Sequence, residues 1–346
     1  MIFKEALTYD DIQIIPKYSE IEHRSTCNIK TRFTKNFFID KPYISAPMDT
    51  VTGVDMALGM MKLGGVGCIH RFMSVDEQVM SVDILKKEND EFGTIRPICA
   101  SIGVNDLTIR LNKLVSAGVN VILIDVAHGN TKMMKETIYY IKSTYPNIDI
   151  IAGNIATSDG AENLCKWGAD AIRVGIGNGS LCETRIRTGI GIPQVTALID
   201  CISVADKYDV PVIADGGIRI IGDVAKALAL GSDSVMLGSI LAGTKESPGS
   251  IEKMGKWPDE KLYKKYRGSA SLQAKIENNL EEKNVEGNSK LIPYKGKIKR
   301  LINDIDDGLK SSMSYVNASN LLEFRSNSHF VKVTQNGMIE AKPHLL

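Results

Sequence analysis

Eight short apolar runs recur along this sequence: Tyr43 to Ala46, Val66 to Ile69, Ile98 to Ile102, Val121 to Val126, Ile148 to Ala152, Ala171 to Ile176, Val210 to Ala214 and Ser234 to Leu237. Most are rich in Val and Ile and bounded by Gly, Asp or Asn, as buried parallel strands are. Their starts are mostly about 23 to 27 residues apart, room for one helix and two short connections each. The pattern predicts a (β/α)8 barrel, with a doubly wound sheet as the rival architecture. The barrel places chemistry at the C-terminal ends of its strands. Asp49, His70, Ser101, Asp125, Asn154, Cys182, Asp215 and Ser239 crowd those ends here.

Helical signals fill the gaps. Ser74-Val75-Asp76-Glu77 reads as a capping box, and Met134, Ile138 and Ile141 share one helical face. Asp159 to Trp167 and Asp223 to Leu230 read as helices stopped by Gly168 and Gly231. The segment from about Tyr263 to Gly296 breaks the rhythm, is polar with Glu281, Glu282, Lys283 and Glu286, and reads as a mobile flap. A helix near Ile298 to Ser312 and a strand-like run at Phe330 to Thr334 follow. The expectation is one catalytic domain spanning residues 1–346, with the flap at 263–296 inside it.

With 42 basic and 41 acidic residues the net charge is +1, which favours neither nucleic acid nor an anionic membrane. No apolar run approaches a membrane span, and Met1 to Leu7 lacks the layout of a signal peptide. The six cysteines show no metal-ligand spacing and suit free thiols in a reducing cytoplasm.

The sixth run leads into Gly175-Ile176-Gly177-Asn178-Gly179-Ser180-Leu181-Cys182-Glu183-Thr184-Arg185. Glycines let a backbone approach an anion and donate N–H groups to it, and a thiol beside that site can attack an electrophilic carbon. Ser180, Gly216-Gly217 and Gly238-Ser239 together suit one phosphate, since barrels often bind phosphate after strands seven and eight. Asp215 suits a ribose diol or, alternatively, a helix cap; Asp125 and His128 read as site residues or loop-forming groups. Arg185, close to Cys182 in sequence, is a candidate to favour the thiolate. The other five cysteines read as inert buried thiols.

The cysteine loop resembles the signature of the IMP dehydrogenase/GMP reductase family. So do Ser45-Ala46-Pro47-Met48-Asp49-Thr50, Ala152-Gly153-Asn154, Ala214-Asp215-Gly216-Gly217-Ile218-Arg219 and Met236-Leu237-Gly238-Ser239. The resemblance covers nearly the whole chain and implies a (β/α)8 homotetramer acting on GMP or IMP. It implies a phosphate near Ser180, Gly217, Gly238, Ser239 and Tyr266, a ribose on Asp215, and a purine C2 facing Cys182. It further implies nucleotide contacts from Ser45, Met48, Asn154, Ser269 and Ala270, and a cofactor side at Asp125, Ala127 and His128. A monovalent cation such as K+ is implied at the backbone of Gly177, Gly179 and Cys182.

Two branches of the family differ in chemistry. The dehydrogenase flap carries an Arg-Tyr pair that activates water, and residues 268–287 hold no such dipeptide. The flap sequence and Tyr9-Asp10-Asp11-Ile12-Gln13 are similar to bacterial GMP reductases; Ser45 to Thr52, His70-Arg71 and Glu340-Ala341-Lys342-Pro343-His344 are closer to bacterial dehydrogenases. Only Lys86 to Arg96 occupies the place of the dehydrogenases' regulatory CBS pair. The missing Arg-Tyr pair sets the expectation of a GMP reductase: GMP and NADPH to IMP, ammonia and NADP. Cys182 would be the nucleophile and Thr184 with Glu286 the proton relay. The alternatives are an IMP dehydrogenase without CBS domains, a non-catalytic purine-nucleotide sensor, and a flavin barrel. Asn178 stands where the family usually has proline, which leaves the loop's stiffness open.

Overall fold

The computed structural model describes residues 3–93, 95–105, 107–256, 258–277 and 285–341. Glu281, Glu282 and Lys283 of the expected flap, and Lys342-Pro343-His344, lie outside the described residues.

All eight apolar runs form parallel strands of one closed barrel: β1 (Tyr43–Ser45), β2 (Val66–Ile69), β3 (Cys99–Ile102), β4 (Val121–Asp125), β5 (Asp149–Ile155), β6 (Ala171–Val174), β7 (Val212–Asp215) and β8 (Ser234–Leu237). β8 pairs with β1 to close the ring, so the barrel has no open edge and the doubly wound alternative falls away. Helices occupy the connections: α1 (Val54–Lys62), α2 (Val75–Glu91), α3 (Thr108–Ala117), α4 (Lys132–Thr144), α5 (Ser158–Trp167), the short α6 (Thr184–Thr188), α7 (Gln194–Ala205) and α8 (Ile221–Ala229). The capping box at Ser74 and Glu77 is formed. Gly118 and Gly168, at φ +107° and +102°, terminate α3 and α5 in the left-handed region.

Strand alternation divides the core in two. Ile44, Val66, Val121, Leu123, Ile151, Ala171 and Ile213 fill the barrel interior, while Ile122, Ile124, Ile150, Ile172 and Ala214 face the helices. Phe33 and Ile39, from a hairpin of Thr31–Arg32 and Phe38–Ile39, plug the N-terminal end. Near the termini, Ile12–Ile14 pairs antiparallel with Phe330–Lys332. No helix among the described residues is long and apolar enough to cross a membrane.

The segment after β8 has structure of its own. Strands β9 (Glu252–Met254), β10 (Lys261–Arg267) and β11 (Ser289–Pro293) form an antiparallel sheet, with α9 (Leu272–Glu277) after β10 and α10 (Ile298–Ser314) after β11. Buried Lys264 donates to the carbonyls of Thr244 (3.1 Å) and Ser247 (2.5 Å), fastening β10 to the loop that leaves β8. Arg267 pairs with buried Asp49, and its backbone N–H donates to Thr50 Oγ1 at 3.1 Å. The polar excursion is therefore anchored across the mouth at the β1 side.

One close approach limits the sequence. A Cβ on Gly67 of β2 would sit 2.3 Å from Ala57 Cα and 2.6 Å from Ala57 Cβ of α1. Gly67→Ala is expected to destabilise the fold by about 1–3 kcal/mol through overpacking. Chemical denaturation measures it, and an unchanged midpoint would refute the contact.

Candidate active site

A cavity of about 620 Å³ opens at the C-terminal mouth, within the range of small-ligand sites. Of the eight strand-end residues, Asp125, Asn154, Cys182, Asp215 and Ser239 line it. The other three are spent on structure. Asp49 holds Arg267. Ser101 donates to the Ile69 carbonyl at 3.1 Å. His70 is buried, its Nδ1 accepting the Phe72 N–H at 3.1 Å. Burial, against the opposing charge of Asp49, pushes the His70 pKa down to about 4, so it is neutral at physiological pH.

The cysteine loop is held from two sides. On one, Asn178 donates through Nδ2 to the Asp215 carbonyl (2.9 Å) and to Gln194 Oε1, and its own carbonyl accepts the Gly217 N–H at 3.0 Å. Buried Gln194, the first residue of α7, donates in turn to the Val174 carbonyl at 2.8 Å. Asn178 thus ties the loop to the ends of β6 and β7, and hydrogen bonds supply the restraint where the family usually has proline. On the other side, Glu183 N–H donates to the Glu286 carbonyl (2.8 Å) and Asn288 N–H to the Leu181 carbonyl (3.1 Å). Gly287 bridges Cys182 and Ser271. A Cβ there would lie 3.0 Å from Ser271 N, a tight contact where the three segments meet.

This stitching brings Glu286 to the thiol. Cys182 Sγ lies 3.2 Å from Thr184 Oγ1, which donates to Glu286 Oε2 at 2.6 Å. Arg185 does not join them. Its guanidinium donates to the Ile192 carbonyl at 2.7 Å and lies against Gly177 and Gly191. Of the six free cysteines only Cys182 is partly exposed.

Opposite the thiol, Ser180 Oγ and Tyr266 OH are 3.0 Å apart beside Gly238, with Gly216 and Gly217 in left-handed conformations at φ +84° and +77°. Burial raises the Tyr266 pKa, keeping the phenol a neutral donor. Asp215 does not cap α8. Asp223 does that, accepting the Arg219 N–H at 2.9 Å. Asp215 Oδ2 accepts from Asn154 Nδ2 (2.8 Å) and Arg173 Nε (2.9 Å). A register shift at Gly153/Ile155 aims Asn154 inward.

Met48, Ser269, Ala270, Ala127, Gly177 and Gly179 also line the cavity. Ser45 and His128 are not among the lining residues. Ser45 is fully buried and accepts from Thr52 Oγ1 at 2.8 Å, and His128 faces solvent. Sequence reasoning missed Arg173, Asn178 as a tie, and Gln194. Arg173 was absorbed into the apolar run Ala171 to Ile176. Strand parity would have found it, since it shares the inner face with Ala171.

Fold and site together define a (β/α)8 barrel with a partly exposed thiol, a hydroxyl–carboxylate pair and a glycine-lined cavity at one mouth. The sequence matches the IMP dehydrogenase / GMP reductase domain over residues 6–344. Relatives named inosine-5'-monophosphate dehydrogenase include those of Cryptosporidium parvum, 39% identical with 98% of this chain and 95% of the relative covered, and Borreliella burgdorferi, 37% identical at 99% and 98%. A third, from Nitrosopumilus maritimus, is 32% identical with 99% of each chain covered. The chain belongs to the IMP dehydrogenase/GMP reductase family, a family of oxidoreductases.

The expectation of a bacterial-type GMP reductase is overturned: these full-length relatives, and others of similar coverage, are dehydrogenases by name. The missing Arg-Tyr dipeptide misled because it concerns one group in the excursion. A carboxylate from the return leg, Glu286, reaches Thr184 beside Cys182.

Two measurements follow. Brief iodoacetamide treatment of the folded protein is expected to label Cys182 first by mass spectrometry; equal labelling of Cys68 or Cys201 would contradict their burial. For His70, the folded pKa of about 4 lies below the usual 6.5, so the unfolded chain binds the extra proton as pH falls. Stability attributable to His70 is present above about pH 6.5 and decreases towards pH 4, by roughly 2–3 kcal/mol. His70→Asn should flatten that part of the acid unfolding curve, and an unchanged slope would show that His70 does not cause it.

Proposed function

We propose that the protein oxidises IMP at C2 to XMP, with NAD as hydride acceptor and water as the oxygen source. The observation that carries this reading is the Cys182–Thr184–Glu286 line, in a family whose relatives of this coverage are named for that reaction. The phosphate would rest on Ser180, Gly217, Gly238, Ser239 and Tyr266, and the ribose hydroxyls on Asp215. Asn154 Oδ1 is buried at the cavity wall without a hydrogen-bond partner, as a group that meets a ligand would be.

Cys182 Sγ adds to C2 of the purine. Bound NAD supplies the acceptor for the hydride that leaves C2. A thioimidate then joins Cys182 to the nucleotide, and hydrolysis breaks the C–S bond. Thr184 takes a proton from the attacking water while passing its own to Glu286, so the pair replaces the absent Arg-Tyr base. Water adds its oxygen at C2, the thiol is released, and the sum is IMP, NAD and water to XMP, NADH and a proton.

Asp125 and Ala127 remain the proposed contacts on the dinucleotide side. The NADPH expectation belonged to the reductive direction and gives way here to the oxidised dinucleotide. A monovalent cation at the carbonyls of Gly177, Gly179 and Cys182 stays within the proposal. The Gly179 carbonyl accepts the Cys182 N–H at 3.0 Å and keeps a second lone pair. Homotetramer assembly is proposed with it, for measurement by light scattering.

The test is absorbance at the NADH band with IMP and NAD. Wild-type protein should form NADH, and Cys182→Ala should retain IMP binding while losing turnover by about 10³-fold or more. Glu286→Gln should keep a first burst of NADH while slowing steady-state turnover by about 10²–10⁴-fold. Near-normal turnover by Cys182→Ala would exclude the covalent route. Loss of the burst in Glu286→Gln would remove Glu286 from the hydrolytic step.

A further inference from the structure

Strand parity puts Arg173 on the inner face of β6, above Ala171. Its side chain is 11% exposed. Arg173 Nη1 donates to Asp125 Oδ1 at 2.8 Å, and Nε donates to Asp215 Oδ2 at 2.9 Å. Asp125 ends β4 and Asp215 ends β7, so one guanidinium spans the mouth between strands that do not touch. Its planar fork commits separate N–H groups to the two carboxylates, which a point-charge ammonium cannot match. Despite burial, which opposes it, the charges of Asp215 and Asp125 raise the Arg173 pKa, so the group stays a cation.

The Arg173 charge is thus shared by two carboxylates, and Asp125 Oδ2 also lies 3.8 Å from Arg71 Nε. Asp215 takes both of its side-chain donors, Arg173 and Asn154, on Oδ2. Oδ1 accepts from none of the described residues and can meet a ligand hydroxyl. If a bound group neutralises or displaces Asp125, Arg173 is released towards Asp215; if Asp215 is engaged, the converse holds. Both carboxylates border the same cavity.

We propose that Arg173 is a positioning residue that couples the nucleotide side of the cavity to the dinucleotide side by dividing its charge between Asp215 and Asp125. The inference rests on the site reading above, which assigns those sides. It predicts that a change at Asp125 is felt by a nucleotide bound at Asp215, and that the effect passes through Arg173.

The experiment is a double-mutant cycle read as the IMP dissociation constant by calorimetry, with no dinucleotide present. Asp125→Asn should weaken IMP binding by about fivefold or more in the wild-type background, because the guanidinium then concentrates on Asp215. It should change binding by less than about twofold in Arg173→Gln. Arg173→Lys keeps the charge but not the fork; it should reduce the coupling while retaining the fold, and serves if Arg173→Gln fails to fold. If neither folds, Asp125→Asn alone decides: an IMP constant unchanged from wild type overturns the proposal, and a fivefold shift supports it. Additive effects in the cycle overturn the coupling even if IMP is oxidised normally. Coupled binding without oxidation would leave the role of Arg173 standing and remove the dehydrogenase reading. Failure of wild-type protein to bind IMP would overturn both.

Discussion

One guanidinium in the barrel mouth organises the charges around it. Burying a cation and two carboxylates is costly unless each is satisfied. Arg173 meets that condition with two charge-assisted hydrogen bonds and a third donor from Asn154 on the same carboxylate. The arrangement fixes the ends of β4, β5, β6 and β7 relative to one another. The cysteine loop leaves from the end of β6, and Asn178 refers it back to the Asp215 backbone. The position of the thiol therefore depends on the same strand ends that hold the ions.

The Cys182 thiol is positioned by two kinds of contact. Side-chain hydrogen bonds from Asn178 and Gln194 set the loop against the barrel. Backbone bridges from residues 286–288 set it against the excursion that follows β10. Glu286 reaches Thr184 only because these backbones run side by side. That route brings a carboxylate about a hundred residues away in the chain next to the cysteine, and it leaves little room for a side chain at Gly287.

The barrel was legible because its strands are short, apolar and evenly spaced. All eight were placed within a few residues, and the glycine stops at Gly168 and Gly231 marked real helix ends. The cavity wall was partly legible, since glycine pairs and strand-end polar groups announce themselves. Three errors have physical causes. His70 and Asp49 stand at strand ends but turn into buried partners, which composition does not reveal. Arg173 was hidden in a run read only for hydrophobicity. The reaction was misassigned because an absent dipeptide was weighed above the likeness of Ser45 to Thr52 and His70-Arg71 to dehydrogenases, the name that the relatives carry.

Gly268 donates its N–H to the Asn288 carbonyl at 2.9 Å, closing the excursion at its base. Segments joined at the neck are insulated from what lies beyond it, because lengthening a closed loop costs only a fraction of a kcal/mol per doubling. Glu286 lies just inside this clasp, two residues before Asn288, and its backbone is bound to Ala270 and Glu183. The station of the carboxylate is therefore set by two backbone bonds at the neck of the loop rather than by the side chains along it.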